Sequence, residues 1–204
     1  MASIGSVMNV IFNKILYSFA HPIGEYAQNA FGAYFKLQSF VLMPIFGLNN
    51  GIVPLIAYNY GAQKKKRMVS AIRIGGIAAV AYMFIGLAVF EIFPEQLVRL
   101  FIENDEAVNI AIQTLKIAAL SFVFAGICIV LGSIFQALGR SVFSMFVSIA
   151  RQLIVLVPAA YLLARTGNVN NVWWSFPIAE IMSLVMSAVF FVVVYRTVIA
   201  KVPE

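Results

Sequence analysis

Several apolar runs of about 18 residues or more pass through this sequence, each bounded by a short polar link, and that is the length an α-helix needs to cross roughly 30 Å of hydrocarbon. Of the 204 residues, 62% are hydrophobic and 11% charged, where a soluble domain carries roughly 25% charged residues. A mean hydropathy of +0.94 leaves more apolar surface than a soluble core of this size could hide. An all-α, multi-spanning membrane protein is therefore expected.

Six helical segments emerge, at 3–20, 28–59, 68–93, 108–138, 141–164 and 172–198, forming one transmembrane unit over 1–204. The links read HPIGEYAQ, GAQKKKR, PEQLVRLFIENDE, GR and RTGNVNN. The N-terminal stretch lacks a basic start and carries Asn9, Asn13 and Lys14, which argues against a signal peptide and for a polar-lined span. The sequence begins inside this helix, so a fragment or one product of a split gene is expected.

The net charge of +6 does not point to nucleic acid, because the basic residues lie between apolar runs without aromatic interleaving. The positive-inside rule accounts for them instead. Lys64, Lys65, Lys66, Arg67, Arg73, Arg140, Arg196 and Lys201 fall on one side, Arg99 and Arg165 on the other. Both termini are thus expected in the cytoplasm of an inner (cytoplasmic) membrane protein. The acidic third connection, with Glu95, Glu103, Asp105 and Glu106, is expected outside as a short amphipathic surface helix.

Polar residues recur at three- and four-residue steps in three segments: Ser6, Asn9 and Asn13; Ser141, Ser144, Ser148 and Arg151; and Glu180, Ser183 and Ser187. Such stripes face protein or a water-filled cavity rather than lipid. Small polar residues also serve plain helix packing, so the ionisable groups discriminate better: a charge near the bilayer centre costs about 2.5–3.5 kcal/mol. Arg151 and Glu180 reach similar depth in consecutive antiparallel segments, and either a structural ion pair or a gate follows. Lys14, Lys36 and Lys116 lie in the outer half of their spans, either snorkelling to the interface or lining a shared cavity.

His21 reads as an interfacial residue rather than a proton relay, and Pro44, Pro54, Pro158 and Pro177 should kink their helices. The single cysteine, Cys128, allows no disulfide framework or thiolate metal cluster. No paired-carboxylate, His/Cys, glycine-loop or nucleophile-base constellation is present, so no enzyme and no bound metal are expected.

PIFGLNNGIVPLIAYNYGAQKKKR at 44–67 and GSIFQALGRSVFSMFVSIARQLIVLVPAAYLL at 132–163 carry a family resemblance, and VWWSFPIAEIMS at 172–183 fits it. The chain resembles the C-terminal half of a multidrug and toxic compound extrusion (MATE) transporter, of the MOP superfamily. The resemblance implies one six-helix lobe, helices seven to twelve, paired with an N-terminal lobe absent from this chain. Substrate would pass between the lobes by alternating access.

The implied function is cation-coupled antiport that exports drugs or other small organic compounds. The rivals are a lipid-linked oligosaccharide flippase of the same superfamily, or a non-transporting fragment or self-associating scaffold. Asn13, Lys14, Tyr17, Lys36, Lys116, Arg151 and Glu180 are the candidate cavity or gating residues. No cofactor is implied beyond a coupling Na⁺ or H⁺. Some members of the family place coupling carboxylates in the seventh and tenth helices, but the segments 3–20 and 108–138 carry no embedded acid. The coupling site would then lie in the absent lobe or use Glu180.

Overall fold

A computed structural model describes the backbone of residues 2–203 and the side chains of residues 5–203. Among them there are helices and connecting turns but no strand. Helix α1 spans Ala2–Tyr17, α2 Ile23–Gly61, α3 Lys65–Ile92, α4 Pro94–Arg99, α5 Asp105–Ala119 and α6 Phe122–Ala137. Helix α7, Ser141–Ile149, continues through a π-helical stretch, Ala150–Leu156, into α8, Val157–Ala164; α9 is Val169–Val172 and α10 Ser175–Thr197. A last 3₁₀ turn covers Ile199–Lys201.

Four of these helical units are long and apolar enough to cross a membrane, and a fifth is if the bent α5–α6 pair counts as one span. Helix α1, with 16 residues, is shorter than that measure. Large apolar side chains such as Tyr58, Ile74, Phe40 and Phe84 stay more than 60% exposed, which water would not tolerate on this scale and a bilayer requires.

Several boundaries differ from the sequence expectation, each for a local reason. Helix α2 starts at Ile23 rather than 28, because Glu25 sits in its first turn, where the unpaired N–H groups favour an acid, and Gln28 donates a 3.1 Å hydrogen bond to the Asn13 carbonyl. It then runs unbroken past Pro44 and Pro54 for 39 residues. The expected 108–138 helix is two helices meeting at 47°, with the Ser121 hydroxyl donating to the Ala118 carbonyl at 2.6 Å where the chain turns. The π-helical stretch lies just ahead of Pro158, which has no N–H to offer the preceding turn.

Two tight turns fix the ends of adjacent helices. After α6, Gly139 takes a left-handed φ of 71°, Arg140 N–H reaches the Phe135 carbonyl at 2.7 Å, and Gly139 N–H reaches Gln136 at 3.1 Å. Four residues cannot reverse a chain more abruptly, and α7 therefore packs against α6. After α2, Gln63 takes the left-handed position with φ 56°, and Lys64 N–H bonds to the Asn59 carbonyl at 2.9 Å.

Packing follows two patterns. The buried face of α3 sets small residues, Ala71, Gly75, Ala79 and Gly86, between Met68, Met83 and Phe90, and the small ones let helix backbones approach where no hydrophobic drive exists between apolar helices in lipid. Elsewhere aromatic rings fill the space: Phe12 stacks on Phe31 at 4.8 Å between centroids, and Phe176 lies 5.2 Å from Phe12 and 5.3 Å from Tyr34. This cluster ties α1 and α2 to α10.

The third connection contains α4, whose Pro94 and Val98 are buried. Arg99 bonds Glu95 at 2.9 Å and Asp105 at 3.1 Å. Those two hydrogen bonds, Glu95's first, hold its guanidinium above the ordinary arginine range. Asn104 caps α5 by accepting from the Glu106 and Ala107 N–H groups.

A cavity with a buried ion pair

Helices α1, α2, α6, α7 with its π-helical continuation, and α10 line a cavity of about 660 Å³, a volume in the range of small-molecule sites. Helix α2 contributes Phe35, Gln38, Leu42, Phe46, Asn49 and Val53, one helical face at three- and four-residue steps. Helix α6 contributes Cys128, Gly132, Ser133 and Gln136. Ser144, Ser148, Arg151 and Gln152 come from α7 and its π-helical continuation, and Phe176, Glu180, Ser183 and Ser187 from α10. Gly5 and Met8 reach it from α1.

Its electrostatic centre is the Arg151–Glu180 pair, with Nη1 donating to Oε1 at 2.6 Å. The two side chains are 30% and 12% exposed. Arg151 lies within the π-helical stretch, so its placement opposite Glu180 depends on a local departure from regular helix. Glu180 Oε2, Asn49 Oδ1 and the Ser183 hydroxyl are all buried without a hydrogen-bond partner among the described residues. The Gln136 amide donates to the Ser144 hydroxyl at 3.3 Å, closing the α6–α7 corner.

Chemically, the lining balances one guanidinium against one carboxylate and surrounds them with amides, hydroxyls, phenyl rings and a larger share of aliphatic side chains. A buried polar atom left without any partner costs about 1–3 kcal/mol, so the Glu180 and Asn49 oxygens are the polar atoms of this lining most sensitive to substitution.

Of the residues singled out from sequence, Arg151 and Glu180 meet here; the other five lie elsewhere. Asn13 donates to the Asn9 carbonyl at 3.0 Å and accepts from Gln28, joining α1 to α2. Lys14 and Tyr17 are exposed on α1, Lys116 is half-buried on α5, and the exposed Lys36 holds its ammonium 5.3 Å from the Phe101 ring centre. His21 is exposed and pairs with Glu25 at 3.3 Å. Ser144 and Ser148 of α7 and Ser183 and Ser187 of α10 line the cavity; Ser141 and the Asn9 and Asn13 positions of α1 do not.

Sequence reasoning passed over Gln38, Asn49, Asn50, Gln136 and Gln152, which are uncharged and were eclipsed by the ionisable residues. A search for any amide recurring in register with aromatics, Phe35, Gln38, Phe46 and Asn49, would have found the α2 wall.

The family model described as MatE matches residues 2–162. The chain belongs to the MatE family. It is 29% identical over 180 residues to the multidrug export protein MepA of Staphylococcus haemolyticus (strain JCSC1435), covering 88% of this chain and 38% of MepA. To MepA of Staphylococcus aureus (strain bovine RF122 / ET3-1) it is 30% identical over 178 residues, covering 86% and 38%. The chain thus spans less than half the length of these MatE relatives.

Among solved structures, an inward-facing multidrug resistance MATE family transporter of the MOP superfamily superposes with a TM-score of 0.86 at 16% identity, over 97% of this chain and 46% of that one. An outward-facing one gives 0.83 at 18%, over 94% and 44%. The all-α membrane fold is the MATE fold, and the protein is a multi-pass membrane protein of that family.

Proposed function

We propose that this chain is the C-terminal lobe of a cation-coupled antiporter that exports drugs or other organic compounds across the cytoplasmic membrane by alternating access. An N-terminal six-helix lobe would supply the facing wall. The observation that carries this reading is a drug-sized, charge-balanced cavity inside a unit that matches 38% of the MepA exporters. The near-equal superposition on inward- and outward-facing transporters, 0.86 and 0.83, supports a lobe that rocks as a body.

Glu180 is the acid that lines the cavity among the described residues, so it is our candidate for the coupling ion, Na⁺ or H⁺. The α5–α6 pair and α1 would complete six spans with both termini cytoplasmic. Lys64–Arg67 would then be inside and Glu103–Glu106 outside. In a variant whose native Cys128 is replaced by alanine, a cysteine at position 104 should label with an impermeant reagent and one at 65 should not. The reverse pattern would sink the orientation.

The functional test is drug efflux in cells lacking their own exporters. Efflux is expected from this chain co-expressed with a matching N-terminal lobe, and not from the chain alone. Robust efflux from the chain alone, at equal membrane abundance, would replace the two-lobe reading with a self-associating one.

A further inference from the structure

One face of α3 changes character along its length. Lys66, Ser70 and Arg73 occupy its first two turns, all exposed. On the same line, at steps of three and four residues, follow Ile77, Val80 and Phe84. Gly76, Ile77, Val80, Ala81, Phe84 and Ile85 form a shallow groove walled only by apolar side chains. The opposite face, Met68, Ala71, Gly75, Ala79, Met83 and Gly86, is buried in the bundle, so the groove faces outward.

The basic residues at its head are not used internally. No ion pair of Lys66 or Arg73 occurs among the described residues. Of the acids among the described residues, Glu25, Glu91, Glu95, Glu103, Asp105 and Glu106 belong to the opposite end and Glu180 is paired in the cavity; Glu204 lies outside the described residues. Arg140, Arg196 and Lys201 are basic neighbours in the sequence order of this end.

We propose that this face binds an anionic phospholipid, with the phosphate at Lys66 and Arg73 and an acyl chain along the groove from Gly76 to Ile85. The occupant follows from the juxtaposition. Two unpaired cations select a negative headgroup, and a groove starting one turn beyond Arg73 without any polar side chain selects a hydrocarbon chain attached to it. The groove covers about 14 Å at 1.5 Å per residue, a substantial part of one leaflet. Gly76 deepens it, since a Cβ there would meet only Val130 Cγ1, at 3.9 Å. This inference does not rest on the transport reading.

The test uses the purified full chain in detergent, with retention of phosphatidylglycerol and of phosphatidylcholine of identical acyl chains measured by native mass spectrometry. Phosphatidylglycerol should be retained on the order of 25-fold better, because each of the two basic side chains near an anionic headgroup contributes about a fivefold preference. Lys66→Gln with Arg73→Gln should bring it down to the phosphatidylcholine level. Gly76→Leu, which fills the groove, should weaken both lipids several-fold and leave their ratio unchanged. Equal retention of the two lipids by the unaltered chain would overturn the proposal. So would an equal loss from Arg196→Gln, which would make the effect one of net charge. Displacement by inorganic phosphate at matched concentration would also overturn it, since the groove would then contribute nothing.

Discussion

Helix α3 and the span Ser141–Ala164 are both long and apolar enough to cross a membrane, yet they do opposite things. The first is regular throughout, packs through Ala71, Gly75, Ala79 and Gly86, and keeps its charges near its ends. The second carries Arg151 in mid-span, breaks into π-helix around it, and presents Ser144 and Ser148 to a cavity. Hydropathy states that both can cross a bilayer. The placement of a few polar atoms, and whether the backbone bends to place them, separates a helix that packs from one that lines a cavity.

The largest effect that would sharpen this contrast is at the ion pair. Arg151→Ala should lose about 3 kcal/mol of stability in detergent, because Glu180 is left buried with an uncompensated charge. The double variant Arg151→Ala with Glu180→Ala should recover most of it. Additive losses in the double-mutant cycle would mean that the two side chains act independently, despite their 2.6 Å separation.

Next in size is the packing face of α3. A Cβ at Gly86 would lie 2.9 Å from Val41 Cγ1 and 3.6 Å from Phe122, and a valine side chain has little rotamer freedom with which to yield. Gly86→Val should cost about 1–3 kcal/mol by overpacking. No loss in thermal unfolding would show that the α2–α3 contact is loose and that the regular helix is not held by close approach.

A smaller change, of opposite sign, is expected in the cavity wall. Asn49→Leu removes a buried carbonyl oxygen that lacks a donor, and should raise stability by about 1 kcal/mol. Co-expressed with a matching N-terminal lobe, it should at the same time lower efflux several-fold, as expected of a residue held for function at a cost in stability. Lower stability in that variant would assign Asn49 to the scaffold. The smallest effect belongs to Gly76→Ala on the exposed face of α3, where a methyl has room. There the gain in helix propensity should leave melting unchanged or raise stability by at most about 1 kcal/mol.

How much of this was legible beforehand divides along the range of the interactions involved. The spans were readable because crossing a bilayer is a demand on every residue of a segment at once, so the signal adds along the chain. The depth match of Arg151 and Glu180 was readable because antiparallel neighbours joined by a short link share a ruler. The bend between Ala119 and Phe122 was not, since it turns on one serine hydroxyl that a regular helix would also accept.

By itself the sequence determined an all-helical membrane chain, its segment order, its charge asymmetry, and the serine stripes of α7 and α10. Only the tertiary structure decided which polar residues share a space. Lys14, Lys36 and Lys116 have the composition of a cavity but sit outside the one enclosed here, while Gln38 and Asn49, unremarkable in sequence, form its wall. The reason is geometric: periodicity fixes which residues lie on one face of a helix, but which face turns inward is set by the partners that pack against it. Those partners, such as Phe176 against Tyr34 and Gln136 against Ser144, are far apart in the chain or separated by a turn.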